Sequence, residues 1–470
     1  MMRTVCWMCV CAVSLGAMVA VAAEPEPLQA GAAAIDVTPP EEWLPISVNG
    51  GFAARFPDTV TDRLHAKAIV LTDGATTIAL CTVDSCLIDR ALLDDAKERA
   101  SKETGIPTSN MLVSATHTHS APAATGAHGA DADPRYRKFL PGKIAEAIVV
   151  AHAKLAPAEI GWAVGECTEW VHCRRWLMKP GTATTVPFTG ASENMAQMNP
   201  GYSNTNKVRQ TGPSDPAVTV LAVRTADHKP LAVYANYSTH YAGSPPISAD
   251  YFGVFGEEMR KLTGADDEFV GIMSNGTSGD ANCIDFSKPR RKFTHVTVGQ
   301  DVAAIAFDAY KTIEFQSRVP IVAAEAKLTL DVRMPTPEEV EQAKMFLEEE
   351  VGDRLPRNMP ESYARDTVIL STMPPTREQR LQAYRIGDLG IGTIPCETYG
   401  ITGLTIKKNS PLKTTMVVSL ANGWDGYLPP PEQHALGGYT TWRCRVSCLE
   451  VEAEPKIRKT VVKLLSEVAK

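Results

Sequence analysis

The stretch Met111-Leu112-Val113-Ser114-Ala115-Thr116-His117-Thr118-His119 decides how the chain is read: an apolar run that ends in two histidines. In a strand, alternate residues point to one side, so both imidazoles can face a single small volume at the strand's carboxyl end. A second apolar run, Leu231-Ala232-Val233-Tyr234-Ala235-Asn236-Tyr237, delivers Ser238-Thr239-His240 into a Gly/Pro-rich loop. The chain has only ten histidines. Three of them at strand exits suggest a zinc centre, because neutral imidazole is a common ligand of that ion. Three unrelated histidines, each satisfied by a local hydrogen bond, are the ordinary alternative.

Outward from these runs, residues 30–37 read as a first strand closed by Thr38-Pro39-Pro40. Residues 66–72, the turn Asp73-Gly74 and residues 76–83 carry a hairpin signal. Helical spacing covers 90–104, 136–154, 255–262, 301–312, 337–350 and 455–469, and the apolar runs 217–224, 269–273, 321–332, 381–394 and 414–419 read as strands. Hairpins alternate with helical crossovers, so the expected fold is α/β: one large domain with a mixed β-sheet, flanking helices and a site at the strand ends. Length alone would favour two or three domains. No boundary supports that, since Pro and Gly are spread throughout and repeats and low-complexity tracts are absent.

The chain opens with Arg3 and an apolar run from Val5 to Ala23, ending in Ala20-Val21-Ala22-Ala23 before Glu24-Pro25-Glu26-Pro27. A charged start, an apolar middle and a small-residue exit describe a secretory signal peptide over residues 1–23, leaving 24–470 as the catalytic domain of a secreted or periplasmic protein. A retained membrane anchor is the rival reading of the same run. Eight of the 11 cysteines lie beyond it, too few to form a disulfide framework for so long a chain. Cys444 and Cys448 read as packing or as one local disulfide. A formal net charge of -7 excludes a nucleic-acid partner, which needs a basic face. No obligate protein partner is evident.

Two further runs end in polar groups. Gly390-Ile391-Gly392-Thr393-Ile394-Pro395-Cys396-Glu397 closes on a carboxylate, and Met416-Val417-Val418-Ser419-Leu420-Ala421 leads into Asn422-Gly423-Trp424-Asp425-Gly426-Tyr427, with Tyr439 twelve residues later. Taken in order, Ser114-Ala115-Thr116-His117-Thr118-His119-Ser120, Asn236-Tyr237-Ser238-Thr239-His240, Gly276-Thr277-Ser278-Gly279-Asp280, Pro395-Cys396-Glu397 and Gly426-Tyr427 with Pro431-Glu432 resemble the neutral/alkaline, non-lysosomal ceramidase family. The resemblance runs from about Gly31 to about Tyr439. It implies a catalytic zinc on His117, His240, Glu397 and Tyr427, with His119, Arg174 and Tyr439 in catalysis; Arg175, beside Arg174, competes for the arginine's place. The set is chemically coherent: two imidazoles and a carboxylate leave zinc room for an activated water, and an acid and an oxyanion donor complete amide hydrolysis.

Two departures qualify the resemblance. The family carries Gly-Asp-x-Ser where this chain reads Gly279-Asp280-Ala281-Asn282, so Asn282 stands in the serine's place; it can hydrogen-bond but cannot act as a nucleophile. The family's C-terminal β-sandwich domain is also not found. The reading that follows is a zinc-dependent hydrolase of an N-acyl amide, a ceramide-like lipid, which leaves room for peripheral membrane contact. The alternatives are a zinc hydrolase of another amide or ester, and a non-catalytic binding protein that lost activity with Asn282.

Overall fold

The computed structural model describes residues 26–190 and 194–470; the signal peptide expected over residues 1–23 lies outside them. Eight strands form the larger sheet, in the order Val270–Asn275, Pro230–Tyr237, Ala217–Thr225, Ala156–Glu166, Gln29–Asp36, His65–Thr72, Thr77–Val83, Met111–Ala115. Four strands, Ile321–Asp331, Thr376–Ile386, Leu389–Ile394 and Thr414–Ser419, form a second. The mixed α/β class read from the sequence holds, with the strands shared between two principal sheets rather than one.

The layers follow from side-chain alternation. Along His65–Thr72, Ala68 and Val70 face the helices Arg90–Thr104 and Pro134–Ala153, where they meet Leu92, Leu93, Ile144 and Ile148. Ile69 and Leu71 point the opposite way, into a core shared with Tyr384, Ile391, Met416 and Val418 of the second sheet. The helices Asp250–Thr263 and His295–Tyr310 cover the other end of the large sheet through Phe255, Met259, Val298 and Val302. Ile457, Val461 and Leu465 of Ala453–Val468 close the outer face of the small one. The result is a helix–sheet–sheet–helix stack.

Within the two principal sheets, three strand pairs are parallel: 79–83 with 111–115, 232–237 with 270–275, and 389–394 with 414–419. A parallel pair needs a crossover, and here each crossover is a helix: Arg90–Thr104, Asp250–Thr263 and Gly400–Asn409. The first is well specified locally, since the Asp89 carboxylate accepts from the Leu92 N–H at 3.2 Å and Gly105, at φ +75°, ends it. The three units are joined at their carboxyl ends. Asn275 Nδ2 donates to Thr116 O at 3.2 Å, and the chain leaving Thr414–Ser419 bridges the first unit, with Asn422 N donating to Val113 O at 2.7 Å.

Several expectations need correction. The run 381–394 is a hairpin, broken at Gly387, whose φ of +59° supplies the turn. The helix expected from residue 255 begins at Asp250 and carries no side-chain cap for a sequence reading to find. The long strand Ala156–Glu166 was not expected: Gly161 and Gly165 dilute its pattern because a Cβ there would collide with Ile313 and Ile305. Cys444 and Cys448 are packing residues, and among the described residues all eight cysteines are buried and free.

Candidate metal centre

Each parallel unit releases its site residues where a strand runs out, as open α/β sheets do. The first gives Cys86, His117 and His119, the second His240 and Ser278, and the third Glu397 and Tyr427. The two histidines of the first unit do not converge by strand alternation. The strand stops at Ala115, and the chain turns through His117 at φ +75°, its N–H donating to Ser85 O at 2.9 Å. That left-handed residue lets His117 and His119 meet, with ring centroids 4.8 Å apart.

Hydrogen bonds fix the tautomers. His117 Nδ1 lies 2.9 Å from Cys86 O, His240 Nδ1 3.1 Å from Ser278 O, and His119 Nδ1 3.0 Å from Gly50 O. A carbonyl only accepts, so each Nδ1 carries the proton and each Nε2 presents a lone pair. Those lone pairs face one another: Nε2 of His117 is 3.0 Å from Nε2 of His240 and 3.3 Å from Nε2 of His119. The Glu397 Oε2 atom, 3.3 Å from His117 Nε2, is buried without a hydrogen-bond partner. Acceptors that crowd one point repel unless a cation sits among them. Ligands of a tetrahedral ion with bonds of about 2.0–2.2 Å would stand about 3.3 Å apart, so the donor set fits a metal ion. His117, His240 and Glu397 can share one ion, all three being buried.

The charge balance agrees. Burial would lower the His117 imidazole, but Cys86 and the Glu397 carboxylate outweigh it and raise it to about 10, so the field at this nitrogen favours positive charge. Desolvation, reinforced by His117 and Arg174, holds His119 and His240 well below the ordinary imidazole range. Tyr427 stands in register with Glu397 on a parallel bridge, and burial and that carboxylate keep its phenol proton on.

Arg174 enters this cluster and Arg175 does not. Arg174 Nη2 lies 3.1 Å from Gly279 O, 3.3 Å from His240 Nε2 and 3.4 Å from Tyr427 Oη, and its buried Nε has no partner. Arg175, the next residue, points the other way and donates to Gln433 Oε1 at 3.0 Å and to Gln433 O at 2.9 Å. Tyr439 packs its ring 5.5 Å from that of Tyr427. Asn282 is not brought to the cluster: its amide donates to Asn199 at 3.2 Å and its oxygen accepts from the Ile284 N–H at 2.9 Å. Ser278 is nearer, its Oγ 3.4 Å from His240 Nδ1, on the far side of the ring from the lone pair.

A cavity of about 90 Å3 opens beside the cluster, lined by His117, His119, Glu397, Tyr427 and Tyr439 together with Phe52, Leu87, His128 and Trp424. The sequence reading missed several of its parts. Gly50, at φ +101°, lies flat against His119, whose ring would be 2.4 Å from a Cβ there. Tyr241 stacks on the His119 ring with centroids 3.7 Å apart, and Trp424 Nε1 donates to Glu397 Oε1 at 3.2 Å. Tyr241 and Trp424 are neighbours in sequence of His240 and Tyr427; Gly50 and His128 carry no local signal.

No protein-family model and no curated protein matches the chain. Solved structures do. The crystal structure of neutral ceramidase from Pseudomonas aeruginosa is similar with a TM-score of 0.69, covering 94% of this chain and 74% of that one at 15% identity. A ceramidase complexed with C2 gives 0.68 over 94% and 75% at 16% identity. At such identity the likeness establishes the shared fold. The chain therefore has the fold of neutral ceramidase, the family its motifs resemble.

Proposed function

We propose that the protein is a zinc-dependent amide hydrolase of ceramidase type, cleaving the N-acyl bond of a ceramide-like lipid. The observation that carries this is the convergence of the His117, His119 and His240 Nε2 atoms beside an unpartnered Glu397 oxygen. In this reading His117, His240 and Glu397 hold the ion and Tyr427 completes its shell. When bound, zinc lowers the pKa of water towards neutrality and so supplies the attacking hydroxide. His119, neutral and with its Nε2 lone pair facing the cavity, takes the proton released by that water and delivers it to the leaving amine. The unpartnered Nε of Arg174 and the Tyr439 hydroxyl receive the carbonyl oxygen as it becomes negative. Asn282 has no part in these steps, and nothing in them requires a serine nucleophile.

Metal analysis of the purified protein, paired with turnover of a fluorescent N-acylsphingosine, tests the proposal. His240→Ala should lose zinc and turnover together; full activity without metal refutes it. The second reading is a zinc hydrolase of a shorter N-acyl substrate: the cavity of about 90 Å3 beside the cluster shares Gly50, Phe52, His119, Tyr427 and Tyr439 with one of about 280 Å3 that also takes in Arg174 and His240. An acyl-chain series from acetyl to palmitoyl separates the two. Export belongs to the same proposal, with removal of residues 1–23 to leave one catalytic unit over 24–470, and the N-terminus of the exported protein checks it.

A further inference from the structure

Behind Tyr439 lies a line of buried charge that the reaction above does not use. Asp366, fully buried on the helix Met359–Leu370, accepts from Arg445 Nε at 2.5 Å on one oxygen and from His128 Nδ1 at 3.0 Å on the other. The remaining nitrogen of His128, Nε2, reaches the cavity wall and stands 3.5 Å from Tyr439 Oη. His128 has little freedom. Its ring packs 4.7 Å from that of Phe52, its backbone is left-handed at φ +49°, and Arg445 Nη2 lies 3.4 Å from its carbonyl. Its neighbour Gly129 is pressed so closely on Phe52 that a Cβ there would lie 2.2 Å from Phe52 O.

Two other roles fit less well. His128, Asp366 and Cys444 lie close enough to share a metal ion, but an ion there would face the Arg445 guanidinium already on Asp366. A simple strut between helix and loop needs the Arg445–Asp366 pair alone; it does not require an imidazole whose second nitrogen is turned to the cavity. A carboxylate on Nδ1 fixes ring orientation and makes Nε2 the working atom, the arrangement by which enzymes orient histidines.

We propose that His128, held by Asp366 and Arg445, is a positioning residue that fixes the Tyr439 hydroxyl at the cavity wall through an Arg445–Asp366–His128–Tyr439 chain. Its activity arm rests on the hydrolase reading; its spectroscopic arm does not. In zinc-loaded protein labelled with 15N-histidine, the His128 Nε2 resonance should move in Tyr439→Phe. His128→Phe keeps the ring packing and removes the hydrogen bond. It should lower kcat about tenfold, the worth of one such bond, with KM and metal content unchanged. Placed on Tyr439→Phe it should cost nothing further, whereas a merely structural residue loses the same factor in both backgrounds. His128→Gln, which keeps a polar group near the Nε2 position, should recover part of the loss. An unmoved resonance, or equal losses in the two backgrounds, overturns the proposal. If the wild-type protein turns over no N-acyl substrate, the hydrolase reading falls and the resonance alone decides this one.

Discussion

At the scale of single residues, the site depends on positions whose chemistry is not in their side chains. Gly50 contributes a carbonyl that sets the tautomer of His119 and an absent Cβ that lets the ring lie against the backbone. Gly50→Ala should therefore push His119 out of place, reducing turnover by at least about a hundredfold while zinc content, read by metal analysis, stays at wild-type level. The arginine pair makes a sharper contrast. Arg174→Lys should lower kcat with unfolding free energy little changed, since lysine cannot present a planar fork to the carbonyl oxygen. Arg175→Ala should instead destabilise the fold by about 1–3 kcal/mol in urea unfolding, because it takes the guanidinium donor from Gln433 Oε1 and from the Gly437 carbonyl. The sequence could not choose between them, because adjacent residues at the start of a strand face opposite sides and nothing in Cys173-Arg174-Arg175 says which side is the cavity.

Among the elements, the readable ones were those with a local signal. The helix Arg90–Thr104 has an N-cap, an apolar stripe and a terminal glycine, and its expected limits coincide with those observed. Asp250–Thr263 lacks the cap, and its start was misplaced. The strands Ile321–Asp331 and Thr414–Ser419 were legible as apolar runs, whereas the sheet order was not, since pairing partners lie as far apart as Gln29 and Pro157. The site histidines were legible because strand ends in α/β folds collect polar groups. His128 was not, because its partners Asp366 and Arg445 are brought to it only by tertiary packing.

The first crossover helix also holds Lys97, fully enclosed and donating to Asn422 Oδ1 at 2.5 Å. Burial pushes its ammonium down to about 7 from an ordinary value of 10.5. Between those two values the unfolded chain binds a proton that the native chain does not, so this residue makes stability rise with pH from about 7 to about 10.5; below about 7 both states carry the proton and its contribution is constant. Lys97→Met should flatten that slope: urea unfolding at pH 6 and pH 9 should differ less in the variant than in the wild type.

For the whole molecule, the proposed metal centre is a tie between three parallel units that are otherwise separate in sequence. An ion bound only by the native arrangement stabilises it by mass action, about 2.7 kcal/mol at a hundred times its dissociation constant. Stripping the protein with a chelator should lower the thermal midpoint by several degrees, and stoichiometric zinc should restore it. The same treatment of His240→Ala should change nothing.

The left-handed turn at His117 has a consequence for how the protein is made. It aims the imidazole at partners 123 and 280 positions further on, His240 and Glu397, so a ribosome must release most of the polypeptide before those three donors can share an ion. Nascent chains arrested before residue 397 should emerge with no tight zinc, and filling the site becomes a late event in biosynthesis, a final check that all three units have met.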